Sequence, residues 1–167
     1  QLTISLSDES STDTVVNFIT EGSAVTGDEY HNLTVGSAVV TNSVTFLAGE
    51  TTKIIGVNVI DDHRVELDST LSLKLSSVSG DEDITLGSSL KGTVNIIDDD
   101  IANISIEPTT VPLIDGEGIT PSQNGSFTIE TSKLIETDTT FVFTVLESST
   151  ATVLDDFDMD SSTVQVD

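Results

Sequence analysis

The sequence predicts an all-β fold of the antiparallel sandwich type, and three observations support this prediction. Apolar and polar residues alternate over short segments such as 2–6 and 71–75, which puts one face of each strand in a core. The apolar residues are mostly Val, Ile and Leu with many Thr among them, and β-branched side chains suit a pleated surface. Helical periodicity is absent, and turn residues separate the segments at even spacing, with only 3 Pro.

The predicted strands fall into two groups, separated near residue 100. The first group comprises residues 2–6, 15–20, 44–47, 53–60, 71–75 and 93–97. Residues 33–40 are weakly patterned and fit either a short strand or an inserted loop. The second group comprises residues 104–106, 127–131, 140–146 and 163–166.

The charge of the chain excludes several classes of partner. The 167 residues carry a formal net charge of −24, with 29 Asp+Glu against 5 Lys+Arg. Nucleic acid is therefore not an expected partner, because phosphate binding needs a basic face, and an anionic membrane surface is disfavoured for the same reason. No apolar run of about 18 residues is present, so no membrane insertion is expected. Disorder is the alternative account of such charge, but regular alternation argues against it, and bound cations are the preferred account.

Two predicted strands run directly into groups of acids. Asp61, Asp62, Glu66 and Asp68 follow the strand that ends at residue 60, and the triplet 98–100 follows the strand that ends at residue 97. Two such strands side by side would crowd carboxylates into a small volume, which is costly without a cation among them. Ca²⁺ is the expected ion because it takes about 6–8 oxygen ligands at flexible geometry, whereas zinc favours His or Cys. The alternative interpretation is that the acids serve solubility and protect strand ends from pairing.

An internal repeat divides the chain. Residues 15–30 (VVNFITEGSAVTGDEY) align with 142–157 (VFTVLESSTATVLDDF) without gaps, at the offset of 127 that separates Tyr30 from Phe157. The alignment keeps the strand, the small-residue loop, the acids and the aromatic residue in order. It predicts one nearly complete module at 1–100 that lacks its first strand, and the first half of a second module at 101–167. The chain is therefore expected to be a part of a tandem array.

Seven motifs in order resemble the Calx-beta module. They are Gly22-Ser23-Ala24, Gly27-Asp28-Glu29-Tyr30, Phe46-Leu47-Ala48-Gly49-Glu50, Val59-Ile60-Asp61-Asp62, Glu66, Leu86-Gly87 and Ile96-Ile97-Asp98-Asp99-Asp100. The resemblance covers residues 1–100 well and 101–167 weakly. It implies a seven-stranded, immunoglobulin-like antiparallel sandwich that binds Ca²⁺ at one tip.

The resemblance also implies a set of metal ligands. The implied ligands are Glu29 with Asp28 as its alternative, the pair Asp61 and Asp62, then Glu66, and the triplet Asp98, Asp99 and Asp100, with weaker candidates at Asp115, Glu117, Asp155 and Asp156. Ser69 stands where a further Glu is common, and His63 stands where a third Asp is frequent, so roughly one to three ions are expected. An EF-hand spacing from Asp156 to Asp160 is an alternative for the last acids, although Ser161 replaces the usual Gly and no helices flank it.

The expected function is a calcium-binding structural repeat of an extracellular or cell-surface protein, most simply a bacterial one. The absence of Cys fits an exported bacterial protein without disulfides, and a cytosolic protein could lack Cys as well. Ca²⁺ would stiffen the module tip and the junction with neighbouring modules. Two alternatives stay open: an adhesin-type module that contacts a carbohydrate or protein ligand through residues 21–40 or 115–125, and a calcium sensor as in sodium/calcium exchanger regulation. No enzyme activity is expected, because no catalytic motif occurs and aromatic residues make up 4% without Trp.

Overall fold

The computed structural model describes residues 1–108 and 125–151 together with the backbone of 163–166. The chain divides into two compact units: unit 1 comprises Gln1–Asp62 and Leu67–Asp98, and unit 2 comprises His63–Glu66 and Asp99–Asp167. All regular structure in the described residues is β-strand, which confirms the all-β prediction. A search of the same residues for a helix long and apolar enough to cross a membrane finds none.

Unit 1 consists of two antiparallel sheets of four strands each. The strands are β1 (Leu2–Ser5), β2 (Thr14–Gly22), β3 (Tyr30–Val35), β4 (Ala38–Val40), β5 (Ser43–Phe46), β6 (Thr52–Val59), β8 (Ser69–Ser79) and β9 (Lys91–Ile96), and the short β7 (Arg64–Val65) lies between β6 and β8 in sequence but belongs to unit 2. The strand order is β1-β6-β3-β4 in the first sheet and β5-β2-β8-β9 in the second.

The two sheets of unit 1 enclose a single hydrophobic core. The first sheet contributes Ile4, Tyr30, Leu33 and Ile55, and the second contributes Val16, Phe18, Val44, Phe46, Leu71 and Leu73. Phe46 and Ile55 are fully buried, one from each sheet, so the sheets pack face to face as in a sandwich. Truncation of a buried Phe to Ala costs about 3–5 kcal/mol in such a core.

Residues 33–40, for which the sequence left two interpretations, form most of a β-hairpin. Strands β3 and β4 pair antiparallel, with Leu33 opposite Val40. Gly36 in the connecting turn has a φ of +58°, a conformation that glycine adopts without steric cost. Leu33 is buried but Val39 is 62% exposed, and this incomplete burial is the reason for the weak alternation in the sequence.

Unit 2 contains three strand pairs in its described residues. Its remaining strands are β10 (Ile104–Pro108), β11 (Phe127–Thr131), β12 (Leu134–Ile135), β13 (Thr139–Val142) and β14 (Thr163–Val166). Strands β10 and β11 pair antiparallel, as do β13 and β14, whereas β12 pairs with β7 in parallel. The strand expected at 140–146 ends at Val142, and the two-residue strands β7 and β12 were not predicted because they are too short to show alternation.

Candidate metal site

The loop between β2 and β3 joins the two sheets at one end of unit 1. Gly22 lies so close to β8 that a Cβ atom there would be 2.1 Å from the carbonyl oxygen of Thr70. The backbone N–H of Ala24 donates to the same oxygen at 3.0 Å. At the other end of the loop, Ile60 N–H donates to the carbonyl of Glu29 at 3.0 Å. The loop thus holds the start of β8 and the end of β6 at the same end of the sandwich, called the acidic end below.

Strands β6 and β9, which both run into acids, reach this end from opposite sheets. The interpretation that they lie side by side is wrong, since β6 belongs to the first sheet and β9 to the second. Val59 of β6 pairs with Tyr30 beside the loop, and Ile96 of β9 pairs with Ser69 at the start of β8. Two facing sheets can therefore deliver carboxylates to one end of a sandwich without an adjacent strand pair.

Glu29 supports the loop rather than extending freely from it. Its Oε2 accepts a hydrogen bond from Val25 N–H at 2.6 Å, and its own N–H donates to the Val25 carbonyl at 3.1 Å. The side chain is half-buried, whereas Asp28, its alternative, is exposed. Because the Glu29 carbonyl binds Ile60, it is Glu29 that lies beside the segment leading to Asp61.

The remaining predicted ligands of unit 1 are Asp61, Asp62 and Asp98. Asp61 is exposed, and Asp62 and Asp98 are half-buried. The backbone N–H of Asp98 donates to Oδ1 of Asp68 at 3.2 Å, which ties the second residue after β9 to the residue before β8. Asp68 was not among the predicted ligands, although it closes the acidic run that begins at Asp61. The position of Asp68 directly before a predicted strand was the sequence signal that could have identified it as a residue of the acidic end.

Ser69 places a buried hydroxyl group at the acidic end. The residue is 4% exposed, and its Oγ has no hydrogen-bond partner among the described residues. A buried polar group without a partner costs about 1–3 kcal/mol. Ser69 follows Asp68 directly and pairs with Ile96. An oxygen in this position is suited to a cation, as the resemblance suggested for a Glu at the same place.

Three predicted ligands, Glu66, Asp99 and Asp100, belong to unit 2. Asp100 forms an ion pair with Lys133, and its side chain is 14% exposed. Glu66 is half-buried with its Oε1 shielded from solvent, and Asp99 is exposed. Lys133 therefore supplies positive charge to Asp100, where the sequence predicted a metal ion. The weaker candidates Asp115, Glu117, Asp155 and Asp156, and the EF-hand alternative with them, lie outside the described residues.

The described part of the chain contains no group of three or more His, Asp or Glu side chains arranged to hold a metal ion. By donor type, the residues at the acidic end nevertheless fit Ca²⁺, because carboxylate and hydroxyl oxygens are the hard ligands that it prefers. His63 and His31 are both exposed, and two imidazoles would not complete a zinc site of the usual four ligands. The individual ligands stay predictions, and the chemistry of the donors favours calcium among common ions.

Two carboxylates at the opposite end of unit 1, Asp81 and Glu50, are hydrogen-bonded to protein groups. The Asp81 carboxylate accepts hydrogen bonds from Asp83 N–H at 3.0 Å and from Ser10 Oγ at 3.0 Å, and these bonds, the first most strongly, lower the pKa of Asp81. The pKa of Glu50 is lowered mainly by Lys53, whose Nζ lies 2.7 Å from Oε2. Asp81 and Glu50 lie at the end of unit 1 away from Asp61 and Asp98.

Two facing antiparallel sheets with acidic loops at one end define unit 1 as a β-sandwich domain of the immunoglobulin-like class. The family model of the Calx-beta domain matches residues 1–100, which is more than half of the sequence, and the chain therefore belongs to the Calx-beta family. This finding confirms the resemblance seen in the motifs. No curated protein and no solved structure matches the chain. Calx-beta domains are associated with calcium, and the family is non-catalytic.

Proposed function

We propose that unit 1 binds Ca²⁺ at its acidic end. The observation that carries the proposal is a pair of hydrogen bonds, Ile60 N–H to the Glu29 carbonyl and Asp98 N–H to Asp68 Oδ1, which hold the acid-bearing segments of both sheets at one end. The buried Ser69 hydroxyl and the net charge of −24 add support. A cation at this end offsets the repulsion among the carboxylates.

Each residue at the acidic end has a separate role in this proposal. Asp61, Asp62 and Asp98 are the carboxylates that hold the ion, and when bound the ion supplies positive charge and a demand for oxygen ligands. Glu29 fixes the loop through Val25 and so positions Asp61. Asp68 positions Asp98 through its backbone. In this proposal folding and binding are linked, because residues 61–62 and 98 reach the same end of the sandwich only in the folded unit.

Thermal unfolding with calcium and with chelator tests the proposal. A ligand that binds only the folded state at 100 times its Kd stabilises it by about 2.7 kcal/mol. For a domain of about 100 residues this raises the unfolding midpoint by roughly 10 °C or more. Potassium chloride at matched ionic strength controls for screening of the net charge. Equal midpoints in calcium and chelator would rule the proposal out.

We further propose that the chain is a structural repeat of an extracellular or cell-surface protein, in which Ca²⁺ also restrains the segment that connects the two units. The triplet Asp98–Asp100 leads directly into Ile101, so predicted ligands and connecting residues are the same part of the chain. Amide hydrogen exchange of residues 97–103 should slow in calcium. The calcium affinity, measured by calorimetry, distinguishes this role from that of a calcium sensor. A Kd near millimolar suits an extracellular module, whereas a micromolar or tighter Kd suits a sensor.

A role as an adhesin-type module is a second candidate, favoured by the exposure of apolar side chains between β2 and β5. Val25 is 56% exposed and Val39 is 62% exposed, and neither contributes to the core. The partner would be a protein or a carbohydrate. Ligand binding that survives chelation, and that is lost when both valines are replaced by Ser, would support this role. Loss of ligand binding when calcium is removed by chelation would count against this role.

A further inference from the structure

We infer that residues His63–Glu66 are a strap on which unit 2 folds, so that unit 2 keeps its structure only while unit 1 is folded. By sequence the strap is the loop between β6 and β8 of unit 1, but its residues belong to the compact unit 2. The chain therefore passes between the units at residues 62–63, 66–67 and 98–99. The inference goes beyond the proposed function and does not depend on calcium.

Both ends of the strap are held in unit 1, and different sheets hold them. Upstream, β6 ends at Val59, and Ile60 N–H donates to the Glu29 carbonyl at 3.0 Å. Downstream, Oδ1 of Asp68 accepts a hydrogen bond from Asp98 N–H at 3.2 Å. Strand β6 belongs to the first sheet and β8 to the second. The span that the strap has to bridge is therefore fixed only when the two sheets are packed together.

The middle of the strap pairs with β12 of unit 2. Arg64 lies opposite Leu134 and Val65 opposite Ile135, in a parallel arrangement. Glu136 N–H donates to the Val65 carbonyl at 3.1 Å, and the Arg64 guanidinium forms an ion pair with Glu136. An isolated pair of short strands is marginal in water. The pairing therefore requires that unit 1 hold the strap in place at both ends.

The residues that precede β12 bind the segment that follows unit 1. Lys133 forms an ion pair with Asp100. Ser132 N–H donates to the Asn103 carbonyl at 2.9 Å, and Asn103 N–H donates to Ser132 Oγ at 2.8 Å. Residues 132–136 thus bind both the strap and the start of unit 2, and β11 runs directly into them. The order of the β10–β11 pair depends on this segment.

The dependence has a direction. The two sheets of unit 1 are formed by its own strands, and none of the described strands of unit 2 adds to them. The described sheets of unit 2 have two strands each, and one of them contains the strap. If unit 1 unfolds, the strap becomes part of a flexible chain, and bringing it back to β12 costs conformational entropy. Unit 1 is therefore first in the order of folding.

Amide exchange of the full chain, followed across a denaturant series in chelator, tests the inference. The unmodified chain is compared with Phe46→Ala, which weakens the core of unit 1 away from the strap. In both chains β10 and β11 should lose protection no later than β2 and β8, even when the substitution moves the unfolding of unit 1 to lower denaturant. If Phe46→Ala leaves unit 1 unfolded in water, β10 and β11 should be unprotected there as well. Protection of β10 and β11 in a chain whose unit 1 is unfolded would overturn the inference.

A matched pair of insertions assigns the effect to the strap. A Gly-Ser-Gly-Ser insertion between Asp62 and His63 loosens the strap without changing its residues. The same insertion after Gly87 lengthens another loop of unit 1, at a position where nothing lies within 4 Å of a Cβ atom. Protection of the Glu136 amide, relative to β8 in the same variant, should fall about threefold or more with the first insertion and stay unchanged with the second. Equal protection of Glu136 in the two variants would overturn the role of the strap.

A charge exchange tests the contact at constant loop length. Arg64→Glu places two carboxylates together and should speed exchange of the residue 136 amide about threefold. Combining Arg64→Glu with Glu136→Arg restores an opposite pair and the net charge, and exchange should return to within about 1.5-fold of the unmodified chain. If an insertion prevents unit 1 from folding, this series decides the question. Failure of the double variant to recover protection would overturn the pairing as the basis of the dependence.

Discussion

Gly22 is the residue on which the attachment of the acidic loop to β8 depends. Its φ is +128°, a conformation in which other residues are strained by about 1–3 kcal/mol. A Cβ atom there would also lie 2.1 Å from the Thr70 carbonyl oxygen, far inside van der Waals contact. Gly22→Ala should therefore lower the free energy of unfolding by more than about 3 kcal/mol and weaken calcium binding, measured by denaturant unfolding and calorimetry.

Gly27→Ala is the matched control for this variant. Gly27 also has a positive φ, +93°, but nothing lies within 4 Å of a Cβ atom at that position. It should therefore show the strain of about 1–3 kcal/mol without the clash. Similar destabilisation by Gly22→Ala and Gly27→Ala would mean that the close approach of Gly22 to Thr70 does not add to the loss of stability.

Asp81 allows a prediction about pH. Its hydrogen bonds lower the pKa of Asp81 in the folded state below the ordinary value. They therefore stabilise the fold fully at pH values above the pKa of the unfolded state. This stabilisation is lost as the pH falls through the lower pKa of the folded state. Asp81→Asn should accordingly lower the thermal midpoint at pH 7, with a difference from the unmodified chain that shrinks below about pH 4. Midpoints followed from pH 7 to 2.5 measure this. A difference that grows towards low pH would contradict the assignment.

At the scale of elements, the segment around β12 holds unit 2 together. Ser132 binds Asn103, Lys133 pairs with Asp100, and Glu136 pairs with Arg64. Lys133→Ala removes the less exposed pair and should destabilise unit 2 by about 1 kcal/mol, the upper range for accessible ion pairs. Arg64→Ala, whose pair is more exposed, should have a smaller effect. Amide exchange of β10 and β11 measures both, and a larger effect of Arg64→Ala would contradict this ranking.

The sequence predicted the elements whose side chains alternate between core and solvent, and it failed where other contacts decide the structure. In β8, Leu71 and Leu73 are buried and Lys74 is exposed, so the pattern was visible, although Ser72 is also buried and shares a hydrogen bond with Thr93 at 2.8 Å. Strand β12 forms through bonds to a distant segment and leaves no local pattern. The acidic end was foreseen from Asp61 and Asp98, but the link from Asp68 to Asp98 depends on tertiary pairing between β8 and β9.

At the scale of the whole molecule, the net charge of −24 sets a general repulsion that any cation can reduce. In calcium-free solution with chelator, raising the monovalent salt concentration by a few tenths molar should raise the unfolding midpoint through screening alone. A specific calcium effect must therefore exceed that of potassium at equal ionic strength. Because every removed carboxylate also reduces the repulsion, a variant of a proposed ligand needs a control that changes the net charge equally.

Asp98→Asn and Glu82→Gln provide that comparison. Each removes one negative charge from unit 1, but Asp98 lies at the acidic end and the exposed Glu82 follows Asp81 at the opposite end. The calcium-dependent rise in the unfolding midpoint should fall by half or more in Asp98→Asn, because an amide is a weaker ligand than a carboxylate for Ca²⁺. It should stay unchanged in Glu82→Gln, while both variants gain slightly in chelator from reduced repulsion. Equal loss of the calcium effect in the two variants would show that calcium acts through the overall charge and not through a site at the acidic end.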